Sequence, residues 1–423
     1  MTAITRPAGW GIRVDRRVVA AATFVLFGLI DIVGFGKYAP HGSAIFAFSP
    51  PFAKVTVPNL SLPPAVTCYV CGGISLAAGV FRGLLPMPAI ARRVSIGIVL
   101  FAFVIALLCW AQAGQPSPLS IVNLLEGTLE ASIPLILGAL AGCLCERSGV
   151  INIAIEGQLL FGAFAAGVAA SFFGMLWLGI VLGSLAGALL GAILAVFAIR
   201  YLVDQVVLGV VLNVFASGLT GFLYDRALVP YQNSLNSPAT YLPVKIPVLG
   251  DIPIIGPVFF DSSIFLYITY LLLILVQIGL FSSRWGLRVR AVGEHPMAAD
   301  AVGLRVLGIR YGAVIAGGLI AGIGGAYLTI GSAGNFTPDM SSGMGYIALA
   351  ALIFGRWTPL GALAAALLFG FSTELAGVLS TINVPIPSDI LQMAPYLATI
   401  IAVAGLVGRV RAPAADGRPY VKA

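Results

Sequence analysis

The chain has 423 residues, of which 59% are hydrophobic and 9% charged, with a mean hydropathy of +1.03. A water-soluble domain carries about a quarter charged residues, so this composition excludes a soluble protein of any class. The net charge of +7 does not indicate a nucleic-acid partner, because Lys and Arg sit singly or in small groups between long apolar runs.

A membrane-spanning helix needs roughly 20 apolar residues. In chain order, runs of about that length cover 18–34, 65–81, 94–113, 127–145, 151–171, 176–199, 206–224, 263–281, 311–331, 345–355, 360–380 and 390–408. The expected fold is therefore an all-α polytopic membrane protein with about 12 transmembrane helices. The tenth run is short and the fifth follows closely on a polar turn, so either suits a broken helix. Asp31 is expected near the outer end of the first span. With the amino terminus inside, 19 of the 23 Lys and Arg fall in inner connections, and only Lys37, Lys54, Arg226 and Lys245 fall outside. The positive-inside bias thus places both termini in the cytoplasm. The outer connections 37–64 and 225–262 are rich in proline and are expected to be extended.

Three regions are expected: an amino-terminal three-helix membrane extension over 1–118, a core over 119–411, and a cytoplasmic tail over 412–423. The boundary is the Gln115-Pro116-Ser117-Pro118 stretch.

Glycines four apart, as in Gly138/Gly142, Gly183/Gly187/Gly191 and Gly318/Gly322, allow helices to approach closely, and packing within the chain is the expected use. Cys68-x-x-Cys71 lies in an apolar helix with no second pair, and the chain has only His41 and His295. No metal site is expected.

Polar residues inside spans are costly and informative. Asn152 and Glu156 share a helix face, Gln205 and Asn213 share another around Gly209, and Glu374 lies between Gly370 and Gly377. Together with Gln158 they are the candidate lining of a polar solute pathway, with interhelical hydrogen bonding as the alternative use. The one long inner connection holds Arg288, Gly293, Glu294, His295, Pro296, Ala299 and Gly303. Pro296 suits the first turn of a short helix and Gly303 its end, which gives a shape suited to docking a soluble partner.

From about Leu119 to Val410 the chain resembles the permeases of ABC importers in the branched-chain amino acid and simple sugar superfamily, nucleoside-type branch. The stretches that carry the resemblance are Glu146-Arg147-Ser148-Gly149-Val150-Ile151-Asn152-Ile153-Ala154-Ile155-Glu156-Gly157-Gln158, Asp204-Gln205-Val206-Val207 leading to Leu212-Asn213, Ala291 to Ala299, and Ile353 to Gly361. It departs at His295, where Asn or Arg is usual, and at Gln158, where Met is common. The resemblance implies a subunit without ATPase activity or bound cofactor, and no G-x-x-x-x-G-K-[ST] loop is present. It further implies ATP on a cytoplasmic ABC ATPase, usually a tandem polypeptide, a second permease subunit, and an extracytoplasmic substrate-binding lipoprotein at a bacterial cytoplasmic membrane. The inner loop then becomes the coupling helix that meets the ATPase.

The expected solute is neutral and hydroxyl-rich, with nucleosides first and simple sugars second. Amides match base edges and ribose hydroxyls, and no Lys or Arg sits in any expected span to hold a carboxylate. A major-facilitator-type proton-coupled carrier, the less favoured alternative, would carry an acidic signature between its second and third helices. Here that place reads Gly79-Val80-Phe81-Arg82-Gly83.

Overall fold

The computed structural model describes residues 16–49, 56–382, 384, 386–387, 390–391, 393 and 411–422. Its described residues fall into two compact units: those within Met1–Pro50, Thr56–Ile121 and Thr381–Pro385, and those within Pro51–Val55, Val122–Ser380 and Ile386–Ala423.

The first unit holds three long helices, α1 (Arg16–Leu29), α2 (Pro64–Leu84) and α3 (Ala89–Gln112). Pro63-Pro64 and Pro88 set the starts of α2 and α3, where a missing N–H costs nothing. A short sheet accompanies them: β1 (Ala44–Ala47) pairs antiparallel with β2 (Leu60–Leu62) and parallel with β3 (Leu119–Ser120). Proline-rich sequence does not keep this outer connection wholly irregular. Helices α1 and α2 meet at glycines, and a β-carbon on Gly28 would lie 2.8 Å from the Gly72 carbonyl oxygen. Asp31, in the first turn of the π-helical segment Ile30–Gly36 that continues α1, is fully buried against Gly72. Cys68 and Cys71 pack with Ala102 and Ala106.

In the second unit, α4 (Ile121–Arg147), α5 (Ile155–Phe173), α6 (Leu176–Ala195) and α7 (Gln205–Leu223) come first. A long connection follows with α8 (Gln232–Leu235), β4 (Val244–Lys245), α9 (Ile255–Phe260) and β5 (Asp261–Ser262), and β4 pairs antiparallel with β5. Here too short elements form where the prolines suggested only extended chain, steadied by a 2.7 Å ion pair between Lys245 and Asp251. Then come α10 (Ile264–Ser282), α11 (Arg284–Glu294), α12 (Pro296–Ala301), α13 (Val306–Ala326), α14 (Met344–Phe354) and α15 (Pro359–Thr381).

Ten helices among the described residues are long and apolar enough to cross a membrane, so the chain is a multi-pass all-α membrane protein. The tenth expected span is α14, whose 11 residues reach about 16 Å, half of the roughly 30 Å hydrocarbon core. Most of the twelfth expected span, 390–408, lies outside the described residues, as do Arg6, Arg13, Lys54 and Arg409.

Helix α13 sits against both α5 and α6 through glycine. A β-carbon on Gly187 of α6 would lie 2.6 Å from Gly322 Cα, and one on Gly162 of α5 would lie 2.6 Å from the Gly322 carbonyl oxygen. The Ser184 hydroxyl donates to the Leu319 carbonyl at 3.0 Å across the same seam. Gly138 and Gly142 of α4 admit Ala348 and Leu352 of α14. The glycine spacings thus serve packing within the chain.

Candidate functional site

Between α4 and α5 the chain is not helical from Ser148 to Ala154. Lipid offers no partner to freed N–H and C=O groups, so such a break persists only where protein groups or a hydrated cavity satisfy them. Polar side chains from α7 supply those partners. Gln205 Oε1 accepts from the Ile151 N–H at 2.8 Å. Asn213 Nδ2 donates to the Ile153 carbonyl at 2.9 Å, and its Oδ1 accepts from the Gly157 N–H at 2.8 Å. The same Nδ2 donates to the Tyr346 hydroxyl of α14 at 3.0 Å. Asp204, at the N-cap of α7, accepts from the N–H groups of Val206 and Val207 and fixes where the helix begins. Gly209 leaves room for Ile153, whose Cβ would be 2.8 Å from an added β-carbon.

Glu156 serves the second interruption. Its Oε1 accepts from the Ser341 hydroxyl at 2.6 Å and the Gly343 N–H at 2.8 Å, and its Oε2 accepts from the Gly345 N–H at 2.6 Å. The carboxyl therefore caps α14, where unpaired N–H groups and the positive end of the helix dipole favour an acid. Gly343, at φ +81°, makes the turn into that helix. Asn152 Nδ2 donates to Gln158 Oε1 at 3.1 Å and to Cys145 Sγ at 3.4 Å. Among the described residues, buried Asn152 Oδ1 and Gln158 Nε2 have no hydrogen-bond partner.

The structure thus brings five of the six candidate pathway residues to one place, around the break between α4 and α5. Much of their hydrogen-bonding capacity goes to the chain itself, the alternative use the sequence left open. Glu374 lies elsewhere: its carboxyl covers Gly127 of α4 and lies within electrostatic range of Glu130. Glu126 and Glu130, one turn apart on α4, are acidic neighbours that sequence reasoning passed over. Their i, i+4 spacing was the available signal.

Helix α14 is tied at its other end as well. Arg356 and Trp357 follow it at φ +55° and +54°, a left-handed conformation costing about 1–2 kcal/mol per non-glycine residue. Arg147 holds that turn by donating from Nε to the Trp357 carbonyl at 2.8 Å and from Nη2 to the Arg356 carbonyl at 3.2 Å. The Trp357 indole N–H donates to Glu146 Oε2.

The connection between α10 and α13 folds as α11 and α12. His295 caps α12, its Nδ1 accepting from the Ala298 N–H at 3.2 Å, and Pro296 takes the first helical position. Gly303 has φ +85° and leads the chain away. Gly293 is buried against the Arg147 carbonyl, while Arg288, Glu294 and His295 are exposed. Ala299 is buried with Val292 and Val306. Met297 and Val302 are 67% and 76% exposed. These apolar tips were missed from sequence, where Pro296, Gly303 and the basic residues drew attention. Among the described residues no group of three or more His, Cys, Asp or Glu is arranged to hold a metal ion.

Residues 124–407 match the family described as branched-chain amino acid transport system / permease component. The chain belongs to that family. It is 43% identical over 308 residues to the guanosine ABC transporter permease protein NupQ of Bacillus subtilis, covering 71% of this chain and 96% of that one. It is 39% identical over 317 residues to the nucleoside ABC transporter permease protein NupC of Lactococcus lactis subsp. cremoris, covering 72% and 99%. It is 34% identical over 306 residues to the putative glucose ABC transporter permease protein TsgC13 of Haloferax volcanii, covering 68% and 92%. No solved structure matches the chain significantly. The protein is a membrane permease component.

Proposed function

We propose that this permease is the membrane subunit of an ATP-driven importer of nucleosides in a bacterial cytoplasmic membrane. The observation that carries the reading is the 43% identity, over nearly the whole relative, to a guanosine permease. The amides of Asn152, Gln158, Gln205 and Asn213 around the α4–α5 break support it, because they offer neutral donors and acceptors. The 34% identity to a glucose permease makes a simple sugar the competing solute. Uptake of labelled uridine, adenosine, ribose and leucine by cells with and without the gene decides between them. Loss of the two nucleosides alone is expected, and selective loss of ribose or leucine refutes the assignment.

In this reading ATP is hydrolysed by a separate cytoplasmic ABC ATPase, usually tandem, that docks on α12 and its exposed Met297 and Val302. A second permease subunit and an extracytoplasmic binding lipoprotein complete the importer. Residues 1–118 are a membrane extension added to the 119–411 core, and 412–423 form a cytoplasmic tail.

Both termini and the α11–α12 connection are assigned to the cytoplasm on the 19-to-4 distribution of Lys and Arg. Cysteines introduced at the exposed positions Ala301 and Ser234, in a protein lacking its five native ones, are expected to label from opposite sides. An impermeant reagent reaching both in intact cells contradicts this orientation.

A further inference from the structure

Helix α12 has six residues, too few to be stable alone, so its position is set by whatever packs on it. Part of that packing comes from the far end of the sequence. The Ala415 N–H donates to the Gly293 carbonyl at 2.9 Å, and the Ala414 N–H donates to Glu294 Oε2 at 3.2 Å. Arg310 of α13 donates from Nη1 to the Arg418 carbonyl at 3.1 Å. Tyr420 is buried with Val292 of α11, Ala299 of α12 and Val306 of α13, and lies beside Asp300 of α12.

The same short tail also reaches the break between α4 and α5. Its Ala415 carbonyl would lie 3.1 Å from a β-carbon on Gly149, a position at φ +89° that favours glycine. Gly417, itself at φ +72°, lies against the Ile151 side chain. The Asp416 carboxyl lies beside that of Glu146, and burial pushes Asp416 above the usual carboxylate range. Gly149 and Ile151 bound the segment whose backbone Gln205 and Asn213 satisfy.

We propose that residues 411–422 are a positioning strap that holds α12 in register with the α4–α5 interruption, so that motion at the ATPase-facing helix is delivered to the transport pathway. This rests on the reading of α12 as the ATPase coupling helix. The residues that do the work are Ala414, Ala415, Asp416 and Tyr420, which act through α11, α12 and Glu146 and touch no solute. A tail that merely filled surface would contact one element. This one bridges α4, the α4–α5 break, α11, α12 and α13.

The test uses the complete importer in proteoliposomes, with uridine as the probe and solute imported per ATP hydrolysed as the readout. Assembled complex is quantified separately, so that a folding defect is not read as uncoupling. A permease ending at Pro413 is expected to assemble, hydrolyse ATP and lose about tenfold in the transport-to-hydrolysis ratio. Tyr420→Ala falls in the same direction and Tyr420→Phe stays near the parent. If truncation prevents assembly, the Tyr420 pair decides. Met297→Glu on α12 serves as the reference variant. An unchanged ratio in the tail variants, with Met297→Glu impaired, overturns the strap and leaves the coupling helix standing. An unchanged ratio in Met297→Glu as well overturns the coupling role of α12 and the strap with it.

Discussion

Replacing Gly322 with leucine is expected to remove nearly all folded permease from the membrane. A β-carbon there would stand 2.9 Å from Ser184 Cα on α6, inside any normal contact, and a leucine adds three more carbons beyond it. The neighbour is backbone, so no rotamer change relieves the overlap. Gly187 of α6 and Gly162 of α5 press on the same point of α13, so separating one pair of helices separates three. Overpacking of a closely fitted core costs typically about 1–3 kcal/mol and occasionally more. With α6 backbone directly against the added side chain, this site belongs with the larger values. Fluorescence-detected size exclusion of a tagged protein, compared with the control Gly218→Leu, measures the loss. Gly218 has nothing within 4 Å of an added β-carbon, and its substitution is expected to be tolerated. Equal recovery of the two variants contradicts the packing described for α5, α6 and α13.

The second large effect is expected at Glu156. Alanine there strands the Ser341 hydroxyl and the N–H groups of Gly343 and Gly345. A fully buried donor left without a partner costs about 1–3 kcal/mol, these half-buried ones less, against a total stability of about 5–15 kcal/mol for a typical protein. The loss falls at the start of α14 and should lower both the thermal midpoint in detergent and transport. Glutamine keeps one acceptor oxygen and turns its NH₂ group toward donors, so Glu156→Gln is expected between alanine and the parent. A thermal midpoint unchanged in Glu156→Ala would show that the carboxyl does not hold α14, and would return Glu156 to a role facing solute.

Sequence alone conveyed the features that depend on local chemistry. Runs of apolar residues locate spans because lipid admits little else, and the 11-residue α14 was visible as a run too short to cross. Pro296 and Gly303 marked the ends of α12 because proline fixes φ and glycine accepts a positive one. Partnership was less legible. Asn213 and Gln205 are readable as polar groups on one helix face, but not as caps for the backbone at Ile151, Ile153 and Gly157, because those contacts span more than fifty residues of chain. The tail was read only as a cytoplasmic end for the same reason: its partners lie between 108 and 122 residues upstream, at Gly293, Glu294 and Arg310, or much farther away at Glu146. Glu126 and Glu130 could have been flagged by their spacing.

The tethering of α14 has a mechanical consequence. Glu156, just after the interruption, grips the first turn of α14, while Glu146 and Arg147, just before it, grip the Arg356–Trp357 turn at the other end. Both ends of one rigid rod are thereby fastened to the two shores of a single gap in the chain. If the shores shift together, the rod slides without tilting. If the gap opens or shortens, the rod is stretched or compressed along its axis, the direction in which a helix yields least. The α4–α5 break and α14 consequently behave as a parallel linkage, in which a change in the length of one demands an equal displacement of the other.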